Sequence, residues 1–385
     1  SKNLSTLPFD PQWVNTLIGI DLPADEQKEI LARIGFKVEN DVITIPSFRN
    51  DIEHQADISE EIARFYGYGN IPSSHLSGVA MGSLTSEQLF IRLVENTLIG
   101  YGLCEITTYS FISPKAYDKI CLPQNHPLRN CVVISNPLGE DTSVMRTTAI
   151  PSMLDVLSRN YNNRNSETAF YEISTEYIPV ENRDLPLEKR QIVIGMYGEN
   201  FDFFSLKGAV EELLYKAGIG NYDIKPCSDF SFFHPGRTAV IVKDNIILAG
   251  LGEVHPTVLD NYEIGVRAYV ATLDLEALMD HKSDIRNYKP LPKYPSTNRD
   301  LSFVCDDELP VGDIQKVIVR TIGDILESIT LFDVYRGEQI PHGKKSIAFN
   351  LRLRSPFKTL TDDECDRAVG TCINALKDQG ITLRS

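Results

Sequence analysis

Apolar residues recur along this chain with two periods, near 3.6 and near 2, and the changes from one to the other mark out its elements. Asp10-Pro11 opens a helix through Trp13, Val14 and Leu17. Pro23 introduces a second helix carrying Ile30, Leu31 and Ile34, and Gly35 ends it. Phe36 to Glu39 and Val42 to Ile45 then alternate around Asn40-Asp41 as a hairpin. A third helix follows, with Asp57 as its N-cap, Glu60 in capping-box position, Ile58, Ile62 and Phe65 as its apolar stripe, and Gly67 as its stop.

The pattern predicts three domains, at 1–75, 80–287 and 291–385. The first, helices followed by a two-stranded wing, is winged-helix-like. After the polar linker SSHLSG at 73–78, a helix begins at Thr85 with Gln88 in capping-box position and runs through Leu89, Leu93 and Leu98. Period-2 runs follow at 106–111, 132–135, 169–173, 192–197, 238–242, 246–251 and 269–273, with Asp244-Asn245 as a hairpin turn. Short polar connections favour one antiparallel sheet, with helices at 150–161 and 205–217 over one face. The proline-rich KPLPKYP at 289–295 reads as a stiff connector. Beyond it the order is strand 300–305, helix 311–326, strand 329–335, strand 346–353, helix 361–376 and strand 380–384. That is βαββαβ, the ferredoxin-like pattern, with Thr361 and Glu364 as a capping box for its second helix. The fold class is therefore α+β and multidomain.

Composition narrows the function. A chain of 385 residues buries several cores without disulfides, and its seven cysteines, with no C-x-x-C pair, read as reduced thiols of a cytoplasmic protein. No run is long and apolar enough to span a bilayer, and the start lacks the blocks of a signal peptide. A net charge of −15 argues against general adhesion to nucleic acid, and no Lys/Arg cluster marks the second helix for DNA, so no DNA partner is expected. Residues 291–385, however, are close to neutral, and 334–360 hold Arg336, Lys344, Lys345, Arg352, Arg354 and Lys358 against Glu338 alone.

Two constellations carry candidate chemistry. Asp51, Asp57, Glu60 and Glu61 gather at the start of the third helix, and an all-carboxylate set suits a hard ion such as magnesium. The same residues also read as an acidic first turn favoured by the helix dipole, with a Glu60–Arg64 pair at i,i+4. In the run 346–354, Ile347, Phe349, Leu351 and Leu353 alternate with Ser346, Ala348, Asn350, Arg352 and Arg354. One face packs under helices; the other is expected to stay open and cationic. With Tyr335 nearby it suits single-stranded or looped RNA, and it reads equally as a solvated strand face.

Three segments, in order, carry a resemblance. IPSFRNDIEHQADISEEIARFYGYGNIP (45–72), NPLGEDTSVMRTTAIPSMLDVLSRNYNNR (136–164) with AFYEIS (169–174), and YPSTNRDLSFV (294–304) with FDVYRG (332–337) and GKKSIAFNLRLRS (343–355) resemble the bacterial phenylalanine-tRNA synthetase β-subunit family. The resemblance implies a helical domain, a class II synthetase-like core and a ferredoxin-fold anticodon-binding domain. It implies magnesium at Asp51, Asp57, Glu60 and Glu61, shared with an α subunit, in a heterotetramer of two α and two β that joins phenylalanine to tRNA(Phe) with ATP. RNA contacts would fall at Arg336, Lys344, Lys345, Arg352 and Arg354. The family's N-terminal tRNA-binding and editing modules have no counterpart here, so the chain is expected to be the C-terminal portion and editing is not assigned to it.

Catalysis by the chain itself is not expected. Class II synthetases grip the ATP α-phosphate with an Arg followed two residues later by Glu, and supply a second Arg from a late glycine-rich motif. Here Arg146 is followed by Thr147 and Thr148, and AGLGEVHPTVLD (249–260) has no Arg. Charge developing on pyrophosphate then has nothing fixed to stabilise it. His234 and His255, each beside a proline, suit turn roles better than general-base roles. A second reading is a free-standing regulator with an amino-acid-sensing ferredoxin-like domain and a nucleic-acid-binding winged helix.

Overall fold

The computed structural model describes residues 4–74, 78, 82–283, 288 and 290–384. Parts of the two expected linkers, 75–77 and Lys289, lie outside them, as do the expected boundaries at 80 and 287. The chain divides into two compact units, Ser1–Ser83 and Leu84–Ser385.

The first unit runs β1 (Thr6–Pro8), α1 (Pro11–Ile18), α2 (Ala24–Arg33), β2 (Lys37–Glu39), β3 (Val42–Thr44) and α3 (Gln55–Tyr66). Asp10 caps α1 as its pattern predicts, accepting the amides of Gln12 and Trp13. Asn40 and Asp41, both at positive φ, make the β2–β3 turn. The sheet has a third strand, β1, alongside β3, which the sequence pattern missed. Val14, Leu31, Ile43, Ile58 and Ile62 fill the core. Phe65 does not join that stripe: it is exposed, with the Arg64 guanidinium 4.4 Å above its ring.

The second unit begins with α4 (Ser86–Gly100), whose Thr85–Gln88 capping box forms as expected. Its buried register is Phe90, Val94 and Leu98, leaving Leu89 exposed. There follow β4 (Cys104–Glu105), β5 (Phe111–Ile112), α5 (Ala116–Lys119), β6 (Val144–Met145), α6 (Ile150–Asn162), β7 (Thr168–Ile178), β8 (Leu187–Tyr197), α7 (Phe203–Lys216), β9 (Asp223–Pro226), β10 (Phe233–Lys243), β11 (Ile246–Val254), α8 (Pro256–Asn261), β12 (Ala268–Asp274) and α9 (Leu275–His281). Seven strands make one sheet in the order β4-β7-β8-β12-β11-β10-β9, antiparallel except for β4 against β7. The expected strand at 132–135 is instead a loop touching the sheet system by one bridge, Val133 to Val144; Val133 is solvent-exposed, so nothing holds a longer ladder. Most of 106–111 is likewise loop. Helices cover both faces, not one: α4, α7 and α9 pack on Tyr171, Ile192 and Ile194, while α5, α6 and α8 pack on Val193, Tyr197 and Val270. Alternate residues of β8 thus enter opposite cores, which makes it a central strand buried on both sides.

The remainder is β13 (Thr297–Asp306), α10 (Val311–Ile322), β14 (Leu326–Tyr335), β15 (Lys344–Leu353), α11 (Asp362–Lys377) and β16 (Thr382–Leu383). The sheet order β14-β15-β13-β16 is that of the ferredoxin-like βαββαβ fold, and both helices pack on Phe303, Ile347, Phe349 and Leu351. Thr361 and Glu364 form the expected capping box on α11. All seven cysteines are free thiols, and no helix among the described residues is long and apolar enough to cross a membrane.

Candidate functional site

The four carboxylates of the first unit lie together in sequence but not as a cage. His54, not Asp57, is the N-cap of α3; Asp57 is its third residue and reaches back to accept the amides of Glu53 and His54 at 2.8 and 2.7 Å. Those backbone bonds hold its carboxyl below the usual carboxylate range. Asp51 is forked by Arg49, with Nε 2.9 Å from Oδ1 and Nη2 2.6 Å from Oδ2. Glu61 is buried between Arg49, 2.8 Å away, and Arg64, which takes its other oxygen. Arg64 therefore serves Glu61 at i,i+3, not Glu60 at i,i+4. Burial pushes the Glu61 carboxyl up, and the two guanidinium groups more than offset it, leaving its pKa lowered. Glu60 stays exposed, with no bond among the described residues. As they stand, these residues do not fit a magnesium ion, which needs several carboxylate or water oxygens converging at close range. Among the described residues no three His, Cys, Asp or Glu side chains converge as a metal site would require.

In the central sheet, Arg146 is a structural group. It is 2 % exposed, and its guanidinium donates to the Thr175 carbonyl, the Thr108 hydroxyl and Glu172. Glu172 accepts in turn from the Thr108 amide and hydroxyl. A cation so committed and so buried is closed to a phosphate. The glycines of the late motif are occupied too. A Cβ on Gly250 would meet the Phe230 ring at 3.1 Å, and one on Gly252 would meet Phe233 at 3.0 Å and Thr238 at 2.9 Å. Phe230, Phe232 and Phe233 pack on one another over this part of β11. The missing side chains make room for aromatic rings rather than for a ligand. His234 and His255 use Nδ1 to accept turn amides of Gly236 and Thr257.

The ferredoxin sheet corrects the expectation of an open cationic face. Each named cation has an acceptor: Arg336 on Asp307, Lys344 on Asp306, Lys345 on the Asp307 carbonyl, and Arg352 and Arg354 both on Glu327. Arg354 also donates to the Tyr294 carbonyl. Lys345, Ser346 and Ala348 are buried, because β15 lies between β13 and β14 rather than at an edge. Those neighbours bring carboxylates from far along the chain, which spacing within 334–360 does not reveal.

What that face does present is a ring and a guanidinium. Tyr335 and Asp333 on β14 register with Ser346 and Ala348 of β15. Arg384, just past β16, lies 5.4 Å from the Tyr335 ring centroid, donates to Gln339 at 2.9 Å and reaches Ser346 Oγ at 3.4 Å. The Gly337 position sits against the ring, where a Cβ would fall 2.3 Å from the Tyr335 hydroxyl oxygen. Tyr335 is an exposed ring with the Arg384 guanidinium over it and an acceptor, Asp333, two residues away. Aromatic rings and guanidinium groups are the side chains on which unpaired nucleobases stack. No local signal in the sequence marks Arg384; it joins Tyr335 only because the last strand lies beside β13.

Comparisons with known proteins follow the same order along the chain. Residues 7–68 match the tRNA synthetase B5 domain, 71–275 the phenylalanyl tRNA synthetase beta chain CLM domain, and 292–384 the ferredoxin-fold anticodon binding domain. The phenylalanine–tRNA ligase beta subunit of Clostridium tetani is 43 % identical over 386 residues, covering 98 % of this chain and 48 % of that protein. The beta subunit of Clostridium acetobutylicum is 44 % identical over 374 residues, covering 96 % and 47 %. The chain spans about half the length of the curated relatives it matches. The solved pyrrolysyl-tRNA synthetase of Desulfitobacterium hafniense superposes with a TM-score of 0.44 at 15 % identity, over 66 % of this chain and 87 % of that one.

Proposed function

Because the chain belongs to the phenylalanyl-tRNA synthetase beta-chain family, we propose that it is the tRNA-gripping and scaffolding part of a cytoplasmic phenylalanine–tRNA ligase, and that it performs no amino-acid activation itself. The Tyr335–Arg384 platform, in the part of the chain that matches an anticodon-binding family, carries the reading. An anticodon base stacks on Tyr335, next to the Arg384 guanidinium.

The aminoacylation chemistry then belongs to a partner α subunit, in a tetramer of two α and two β chains, where ATP is used. Two observations support that division. Arg146 is internally bonded, and the glycine motif is covered by phenylalanines, so neither offers a fixed cation to a leaving pyrophosphate. Magnesium, on this reading, is held by the assembled enzyme rather than by Asp51, Asp57, Glu60 and Glu61 alone. The free-standing regulator is set aside, since all three matched families are synthetase or anticodon-binding domains.

Titrating the 385-residue chain with tRNA(Phe) tests the proposal. Saturable binding that weakens with salt is expected; affinity no better than for an unrelated tRNA would overturn it.

A further inference from the structure

The Glu61 side chain is only 8 % exposed, and a carboxylate so placed has to be met by a positive group. It is met from both sides. Arg49 reaches one oxygen and Arg64 the other, and Arg49 bridges onward to Asp51. Both guanidinium planes are backed by rings, Arg49 by Phe36 at 5.8 Å and Arg64 by Phe65 at 4.4 Å. Two carboxylates and two arginines make a cluster without net charge, while Asp57 is turned to backbone amides.

We infer that Arg49 and Arg64 are the resident counter-cations of this cluster: the Arg49 guanidinium stands between Asp51 and Glu61 where a divalent ion would sit, and it excludes that ion from the chain as folded. The inference goes beyond the tRNA reading and stands or falls apart from it. A magnesium ion entering between Asp51 and Glu61 has to displace a forked, charge-assisted contact and leave an arginine without its partner. An arginine at this position therefore makes the carboxylates a closed structural network. Removing it leaves Asp51 without its partner and Glu61 with Arg64 alone, so that acidic oxygens open toward one another and attract a divalent ion.

Manganese, a paramagnetic stand-in for magnesium, provides the test, with free ion followed by electron paramagnetic resonance. The unaltered chain is expected to leave added manganese free, and its melting temperature is expected to be the same in EDTA and in magnesium. Arg49→Gln is expected to bind one manganese at least about tenfold more tightly and to gain thermal stability on adding magnesium; Asp51→Asn in that background removes both effects. Arg64→Gln, whose lost side chain is half exposed, keeps the test open should Arg49→Gln fold poorly, and is expected to shift affinity in the same direction. Stoichiometric manganese binding by the unaltered chain that is lost in Glu61→Gln would overturn the inference. So would an Arg49→Gln chain that melts cooperatively and binds manganese no more tightly than the parent.

Discussion

Arg146 Nη2 lies 3.3 Å from Glu172 Oε1, and neither side chain is more than 4 % exposed. The pair joins the loop before α6 to strand β7, and Thr108 closes the network from a third segment. A buried pair of this kind contributes little over an apolar replacement, yet breaking one side is severe, because the other charge is left in the core. Arg146→Ala is therefore expected to destabilise the chain by roughly 3–5 kcal/mol, read by chemical denaturation. The double change Arg146→Met with Glu172→Leu is expected to recover much of that loss. A double variant as unstable as the sum of the single ones would show that Arg146 and Glu172 do not act as a pair.

Glu176, two residue pairs along the same strand face, behaves in the opposite sense. It is 7 % exposed, and burial pushes its carboxyl up to about 7; Asp274 and Glu276 add to that, while Lys189 and Arg146 oppose it. The folded chain thus keeps a proton that the unfolded chain releases near the ordinary value of 4.5. The stability this group contributes is complete below 4.5, declines as pH rises to about 7, and is gone above it. The span is up to roughly 3 kcal/mol. Glu176→Gln should flatten this part of the profile, measured by denaturation at pH 5 and pH 8; an unchanged profile would place the titration elsewhere.

Arg352 and Arg354 share Glu327, so they are poor candidates for free phosphate contacts. A free cation on single-stranded RNA contributes about 0.7 to the slope of log affinity against log salt. Changing both residues to Gln is expected to lower the slope for tRNA(Phe) by less than about 0.7 in total. A fall of about 1.4 would restore both as phosphate ligands.

Much of this architecture was legible in the sequence. The βαββαβ order, the capping boxes at Thr85 and Thr361 and the Asn40-Asp41 and Asp244-Asn245 turns all depend on interactions within a few residues, which local pattern records. The errors share another cause. Spacing points to Asp57 as the N-cap because the residue that occupies that place, His54, is outside the usual capping set. The cations of β15 read as free in the sequence because their carboxylates stand on β13, on β14 and in the turn after β13, and Arg384 carries no local signal because it reaches Tyr335 from the far end of the domain. Strand order decides both, and strand order is a property of the fold rather than of any window.

The account stands most directly on Tyr335. Affinity for tRNA(Phe) should be measured for Tyr335→Ala and Tyr335→Phe, each against intact tRNA and tRNA lacking one anticodon base. The account predicts that Tyr335→Ala loses about 1–3 kcal/mol of binding, that Tyr335→Phe keeps most of it, and that the loss disappears for one of the abasic tRNAs. Equal affinity for the unaltered chain and Tyr335→Ala, in proteins of equal thermal stability, would contradict it.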